Sequence, residues 1–285
     1  MSTLRIATLN VWNKSGPWTE RLQVIRKEIQ RLEPAILGLQ EVLRLVSDGA
    51  AAAFTPSTCQ ATEIAQNLGY EVAFGEASDY SHGLRFGNAL LSRHPIEETR
   101  VFELPGHETG ERRSLLFARV KSPFGPLPAF VTHLNWKLDH GSTRLEQVRF
   151  IVDRIFEMAP VQRDVLPPVL MGDFNADPDS DEIRYLRGLK VHEGRSVFFA
   201  DAWVFGGDGS AGTTFDRKND YARRAREPSR RIDYVFVRGP DALLRGEPIR
   251  TEVAFATPEL RDGEAIWASD HFGVVTDVVF AERSP

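Results

Sequence analysis

Cysteine is nearly absent: the 285 residues contain one, Cys59. A disulfide framework and a cysteine-based zinc site are both excluded. The composition fits a reducing compartment, and a cytoplasmic location is the expectation. No run of about 18 apolar residues occurs, which argues against a membrane-spanning helix. The opening MSTLRIATLNVW lacks the basic stretch and long apolar stretch of a secretory signal. An excess of positive charge is missing too. Lys and Arg number 35 against 40 Asp and Glu, a net charge of −5. A globally basic nucleic-acid binder has the opposite balance. An anionic substrate must therefore be met by a local basic patch or a metal ion.

What is present is enough apolar material for a large core, at 42% hydrophobic residues. Strand-like segments, rich in Val, Leu, Ile and Phe and bounded by Gly, Pro and Asn, fall at 4–12, 35–42, 70–75, 88–93, 114–120, 128–136, 167–175, 231–238, 249–256 and 272–280. Helical spacing runs over 18–33, where Leu22, Ile25, Ile29 and Leu32 share a face and Pro34 stops the helix. A second helix, 142–158, opens with a Ser or Thr cap, and shorter ones are predicted near 57–68 and over 180–188, the last capped by Ser180. Helices fall between groups of strands throughout. The pattern predicts an α/β sandwich of two mixed sheets face to face with helices outside. No linker divides the chain, so residues 1–285 are read as a single domain. Loops 47–58 and 206–230 read as insertions at the rim.

Polar residues recur where the apolar strands end. Asn10 follows IATL, Glu41 follows ILGLQ, and His133 and Asn135 follow AFVT. In GDFNADPDS, Asp173 and Asn175 stand two apart and would share one face of an extended chain. Asp233 lies inside RIDYVFV, and Asp270 and His271 precede FGVV. A carboxylate at the edge of a core is costly unless paired. Each residue alone has an ordinary reading as a turn former, a rim histidine or a solvated strand end. Together they suit one chemistry. Glu41 and Asp270, with Asn10 as neutral oxygen donor, suit a hard divalent cation such as Mg²⁺. His271 suits a general base whose tautomer Asp233 would fix. Asn175 and His133 suit hydrogen-bond donors to a phosphoryl oxygen. Asp173 would orient the attacking water or touch the metal. Such a set serves in-line attack of water on a phosphate ester.

The motifs TLNVW (8–12), LQEV (39–42), GNALLSRHPI (87–96), THLNW (132–136), GDFNADPDSDEI (172–183), RIDYVFV (231–237) and SDHFGVV (269–275) resemble the endonuclease/exonuclease/phosphatase superfamily. This group includes pancreatic-type deoxyribonucleases, abasic-site endonucleases, neutral sphingomyelinases and inositol polyphosphate 5-phosphatases. The motifs follow the family's order over nearly the whole chain. The resemblance implies a four-layer α-β-β-α sandwich, with mostly antiparallel sheets, and a phosphoesterase dependent on Mg²⁺ or Mn²⁺. By the same match, Asn10, Glu41 and Asp270 fall on metal positions, and Asp173 and Asn175 on the pair beside the phosphate. Asp233 and His271 fall on the base dyad, and His133 on the leaving side. The C-terminal motif reads SDHFG where abasic-site enzymes tend to end in SDHCP, and no apolar hairpin of the sphingomyelinase kind is identified.

Arg112 and Arg113 open a strand, and either one contacts a phosphate or both are solvated charges. Segment 217–231 carries seven Arg and Lys against two acids. It reads as solvated loop or as a patch that draws a polyanion. Trp136, Trp203 and Tyr221 are candidates for stacking on bases, and Asn135 and Trp136 for lining the substrate. The reading is a divalent-metal-dependent phosphodiesterase, foremost a nuclease on DNA or RNA. A phosphomonoesterase or lipid phosphodiesterase on the same site is the alternative, and an inactive binding module the rival from another class.

Overall fold

The structure, a computed structural model, describes residues 2–47 and 57–280. Most of the Ala-rich loop 47–58 thus lies outside the described residues. The first sheet runs in the order β12 (Glu247–Ala254), β15 (Gly273–Val279), β1 (Thr3–Asn10), β2 (Ile36–Leu45), β5 (Leu84–Ser92) and β4 (Glu71–Asp79), with the two-residue β3 (Thr58–Cys59) pairing on β2. The second runs β10 (Ala200–Asp201), β11 (Asp233–Val237), β9 (Val169–Asp173), β8 (Gly125–His133), β7 (Ser114–Ser122) and β6 (Ile96–Glu103). A small hairpin, β13 (Glu259–Arg261) and β14 (Glu264–Ile266), stands apart. Pairs β1–β2 and β8–β9 are parallel and the other ladders antiparallel. The helices are α1 (Trp18–Leu32), α2 (Gln60–Ala65), α3 (Gly141–Met158), α4 (Asp181–Leu186), α5 (Ala202–Gly206) and α6 (Asp220–Arg223).

Apolar residues alternate between two destinations along each strand, and this builds the layers. Ile6, Ile36 and Leu90 of the first sheet meet Leu116, Val131, Met171 and Val235 of the second. The opposite face of the first sheet, with Ala7, Leu9, Leu37 and Leu39, packs under Ile25 and Ile29 of α1 and Ile64 of α2. The opposite face of the second, with Phe117, Phe130, Leu170 and Phe236, packs under Val148, Ile151 and Ile155 of α3 and Ile183 of α4. Three apolar interfaces separate four layers, helix–sheet–sheet–helix, as expected. Each Val, Leu, Ile, Met or Phe side chain among them contributes about 1.5–3 kcal/mol on full burial. The sheets meet closely at Gly38, where a Cβ would lie 2.8 Å from the Met171 sulfur.

The alternation also aims the polar residues. Ile6 faces the other sheet, so Thr8 and Asn10 on the same parity do too. Leu127, Ala129 and Val131 point between the sheets, and His133 follows them. Met171 sets the direction of Asp173, and Val235 and Val237 that of Asp233. The strands therefore carry their carboxylates and imidazole to one open end of the inter-sheet core.

Several sequence expectations need correction. Strand β9 stops at Asp173, and Asn175 lies in the left-handed region at φ 50°. The two residues share a turn, with Asn175 N–H donating to Asp173 Oδ1 at 2.9 Å, instead of one face of a strand. His140 occupies the cap position of α3, so Ser142 and Thr143 lie within its first turn and do not cap it. Ser180 stands at the cap of α4 but its side chain makes no capping bond. Strand β6 and the short elements β10, β13, β14, α5 and α6 have no counterpart in the periodicity. Strand β6, IEETRVFE, is a mostly solvated edge, so it lacks an apolar face to reveal it.

Candidate active site

The site rests on strand register. In the second sheet His133 pairs with Asp173 across the parallel β8–β9 ladder, and Asp233 pairs with Asp173 across β9–β11. Three neighbouring strands thus present His133, Asp173 and Asp233 in one row. His271 completes it from the loop before β15. Its Nδ1 lies 3.0 Å from Asp233 Oδ2, and its Nε2 lies 3.8 Å from Asp173 Oδ2. His133 Nε2 is 3.5 Å from the same Asp173 oxygen. Asp173, Asp233 and His271 are buried and their ligating atoms lie within 4.8 Å of one another. Gly172 admits this crowding: it holds φ 146°, and a Cβ there would strike the Thr132 carbonyl oxygen at 1.9 Å.

The row polarises its members. Burial pulls the His271 pKa down, but the charges of Asp233, Asp173 and Asp270 and the Asp233 hydrogen bond outweigh it, and the net shift is well upward. Burial raises the Asp173 pKa, and the Asp233 charge adds to that. The charge of His271 and hydrogen bonds from Asn10 and Asn175 offset part of the rise. Burial lowers the His133 pKa far below the usual range, helped by the positive charges of Arg113 and His271. One buried acceptor, Asp233 Oδ1, has no protein partner.

Asn10, Glu41 and Asp270 meet at the mouth of this row. Asn10 Nδ2 donates to Glu41 Oε1 at 3.2 Å and to Asp173 Oδ2 at 3.0 Å, while its Oδ1 accepts from Trp12 N–H at 2.9 Å. Asn10 is thus a bridge between carboxylates, and its oxygen keeps one lone pair for a further partner. Glu41 escapes the alternation of β2 through a bulge between Leu39 and Val42, at φ 59°. Asp270 has its pKa raised to about 6, first by burial, with the Glu41 charge also raising it. Two carboxylates that repel and an amide oxygen form an all-oxygen donor set. Hard divalent cations such as Mg²⁺ or Mn²⁺ fit such a set, and zinc of the structural type does not.

The remaining sequence candidates divide. Asn175 is nearly buried, and one of its two Nδ2 hydrogens goes to the Leu134 carbonyl at 3.1 Å. Asn135 is fully buried, bonded to Thr109 and to Lys137 N–H, so it shapes a turn and cannot line the substrate. Trp136 beside it is exposed. Arg112 is exposed, 3.7 Å from Glu103. Arg113 is buried and engaged with Glu111 and His133. Trp203 is buried, its Nε1 bonded to the Ser210 carbonyl, and Tyr221 is buried against Trp12. Neither is free to stack on a base. The basic segment is partly structural: Arg231 pairs bidentately with buried Asp201, Arg230 with Glu227, and Arg223 with Asp220. Among the described residues Arg217, Arg224 and Arg226 are exposed and form no ion pair.

Four supporting residues escape the sequence reading. Arg21 is fully buried in α1, and it donates to the carbonyls of Val11, Ser15 and Ala268. It ties the loop after Asn10 to the loop before Asp270. Burial lowers its pKa to about 10. Ser269 Oγ donates to the Asn10 carbonyl at 2.6 Å. Asn219 donates to the Ser269 carbonyl at 2.8 Å. Thr214 Oγ1 accepts from the backbone N–H of Ile232 and Asp233. The last two belong to loop 206–230, which therefore braces the backbone behind Asp233 and Asp270. Polar residues in an irregular loop carry no periodicity, although the buried Arg21 sits on the apolar stripe of its helix, where a charge is out of place.

Comparison with known proteins supplies a family and a set of similar folds. Residues 7–271 match the model of the endonuclease/exonuclease/phosphatase family. No curated protein matches the chain. Among solved structures, an endonuclease/exonuclease/phosphatase from Beutenbergia cavernae is similar at 27% identity and TM-score 0.68, covering 98% of this chain and 72% of that one. Truncated TDP2 from Caenorhabditis elegans superposes at 20% identity and TM-score 0.70, covering 97% of each chain. TDP2 from Danio rerio, in complex with a single-strand DNA product, superposes at 21% identity and TM-score 0.70, over 98% of this chain and 99% of that one. Fold, motif order and family match coincide, and the chain belongs to the endonuclease/exonuclease/phosphatase family, whose members are generally metal-dependent phosphoesterases.

Proposed function

We propose that residues 1–285 form one catalytic domain, a divalent-metal-dependent phosphodiesterase that acts as a nuclease on DNA or RNA. The observation that carries the proposal is the row His133–Asp173–Asp233, with His271 bonded to Asp233, beside the Glu41–Asp270 pair. Glu41, Asp270 and the Asn10 oxygen would hold Mg²⁺ or Mn²⁺, which when bound supplies charge neutralisation at the phosphate. Asp233 accepts a hydrogen bond from Nδ1–H of His271 and leaves Nε2 facing the cleft. There His271 takes the proton of the attacking water. Its raised pKa reflects three nearby carboxylates, and positive charge beside Asp270 opposes that rise. Asp173, bridged to Asn10, orients the water, and the remaining Asn175 Nδ2 hydrogen faces the phosphate.

Nucleic acid is favoured over small esters by the unpaired arginines of loop 206–230 and by exposed Trp136. The DNA product held by the fish TDP2, a protein of the same fold, supports the same class of substrate. The test compares bis-p-nitrophenyl phosphate, p-nitrophenyl phosphate, and single- and double-stranded DNA and RNA, each with Mg²⁺ or Mn²⁺. Hydrolysis of the diester and of a nucleic acid is expected. Hydrolysis of monoesters alone would replace the nuclease with a phosphatase.

A further inference from the structure

The two histidines of the site are held in opposite ways. His271 Nδ1 meets a carboxylate, so that nitrogen carries the proton. His133 Nδ1 meets a cation instead, Arg113 Nη1, at 2.9 Å. A guanidinium has five donors and no acceptor, and it stays protonated. The hydrogen between the two side chains therefore belongs to Arg113, and His133 Nδ1 offers its lone pair. The ring proton must then sit on Nε2, the nitrogen 3.5 Å from Asp173 Oδ2. An imidazolium would set one N–H against another and place a second cation beside the first.

Arg113 is built for this task. It precedes β7 and is 8% exposed. Its Nε and Nη2 both donate to Glu111 Oε2, at 3.3 and 2.9 Å, which fixes the plane of the guanidinium. With three of its nitrogens engaged, it is poorly placed to reach a phosphate, the role open to it from the sequence.

We propose that Arg113 is a positioning residue that locks His133 as a neutral Nε2–H donor, so that His133 gives the phosphate a hydrogen bond and gives the leaving group no proton. A neutral imidazole that surrendered its Nε2 proton would become an anion far too basic to form near neutral pH. The low pKa that burial and Arg113 impose on His133 agrees with this geometry. The role in the reaction rests on the phosphodiesterase reading; the tautomer does not.

The test has two arms. In the first, the full chain is labelled with nitrogen-15 at histidine, and proton–nitrogen correlation spectra are recorded, with His133→Gln used for assignment. Wild type should show His133 protonated at Nε2 only, from about pH 5.5 to 8. Arg113→Lys should keep that tautomer, and Arg113→Glu should move the proton to Nδ1. An Nδ1–H or doubly protonated His133 near neutral pH in the wild type overturns the proposal without any variant needing to fold. In the second arm, His133→Gln is assayed on bis-p-nitrophenyl phosphate and on diphenyl phosphate, whose leaving group is more basic. A hydrogen bond to the phosphate predicts losses within about threefold of each other. A loss tenfold or more greater on diphenyl phosphate shows proton donation and overturns the proposal. If the wild type hydrolyses neither ester, the phosphodiesterase reading fails, and the spectra alone decide for or against the lock.

Discussion

The side chains of the row are unequal in what their removal would do. His271→Ala removes the group assigned as general base and should lower turnover by about 10²–10⁴-fold. Asp233→Asn keeps the shape but replaces an acceptor-only carboxylate with an amide whose NH₂ can face Nδ1 and reverse the His271 tautomer, so turnover should fall while the far-ultraviolet circular dichroism spectrum stays unchanged. Asp270 gives a prediction in the opposite direction for stability. Its carboxyl titrates at about 6 in the fold, above its ordinary value of 3.8. A group with a raised folded pKa contributes stability below its unfolded pKa, and that contribution is lost as pH rises through the folded value. Free of divalent cations, the protein should lose stability from this group between about pH 4 and 6. At pH 8, Asp270→Asn should therefore melt several degrees higher than wild type. The same variant should lose the rise in Tm that Mn²⁺ gives the wild type. A lower Tm for the variant in chelator would refute this electrostatic reading of Asp270.

At the scale of elements, the loops matter as much as the strands. Arg21 on α1 joins two site loops through backbone carbonyls, and no carboxylate shares its hydrogen bonds. Arg21→Met should cost about 2–4 kcal/mol in denaturant unfolding through the loss of several buried hydrogen bonds. It should also weaken the Mn²⁺-induced rise in Tm. Segment 217–231 has two kinds of arginine. Reversing exposed Arg224 and Arg226 to Glu should weaken DNA binding and flatten its dependence on salt, by roughly one unit of slope for each phosphate no longer neutralised. An unchanged slope would assign both to solvated surface. Arg231→Glu would instead disrupt the buried pair with Asp201 and destabilise the fold.

For the molecule as a whole, what can be read from the sequence follows from what repeats. Strands buried on both faces announce themselves as apolar runs, and the polar residues that interrupt their ends, Asn10, His133, Asp173 and Asp233, stand out for the same reason. Glu41 is visible by composition, but the bulge that turns it into the site is not. Asn135 and Trp203 show the opposite failure. Each has chemistry that suits a substrate, and only burial reveals that its hydrogen bonds are spent inside the protein. Arg113 is legible as a basic residue near the site, whereas its hydrogen bond with His133 joins positions twenty apart in sequence through the β7–β8 hairpin. Among the described residues no helix is long and apolar enough to cross a membrane, in line with the lack of long apolar runs.

The reaction proposed for this site turns on His271 working as a base on a phosphodiester with a divalent cation beside it. The decisive quantity is the rate of bis-p-nitrophenyl phosphate hydrolysis by wild type and His271→Ala, in Mn²⁺ and in chelator. The wild type should turn over only with the metal, and His271→Ala should fall by about 10²–10⁴-fold under the same conditions. A wild-type rate that survives chelation, or a His271→Ala rate close to wild type, would show that the reaction runs some other way.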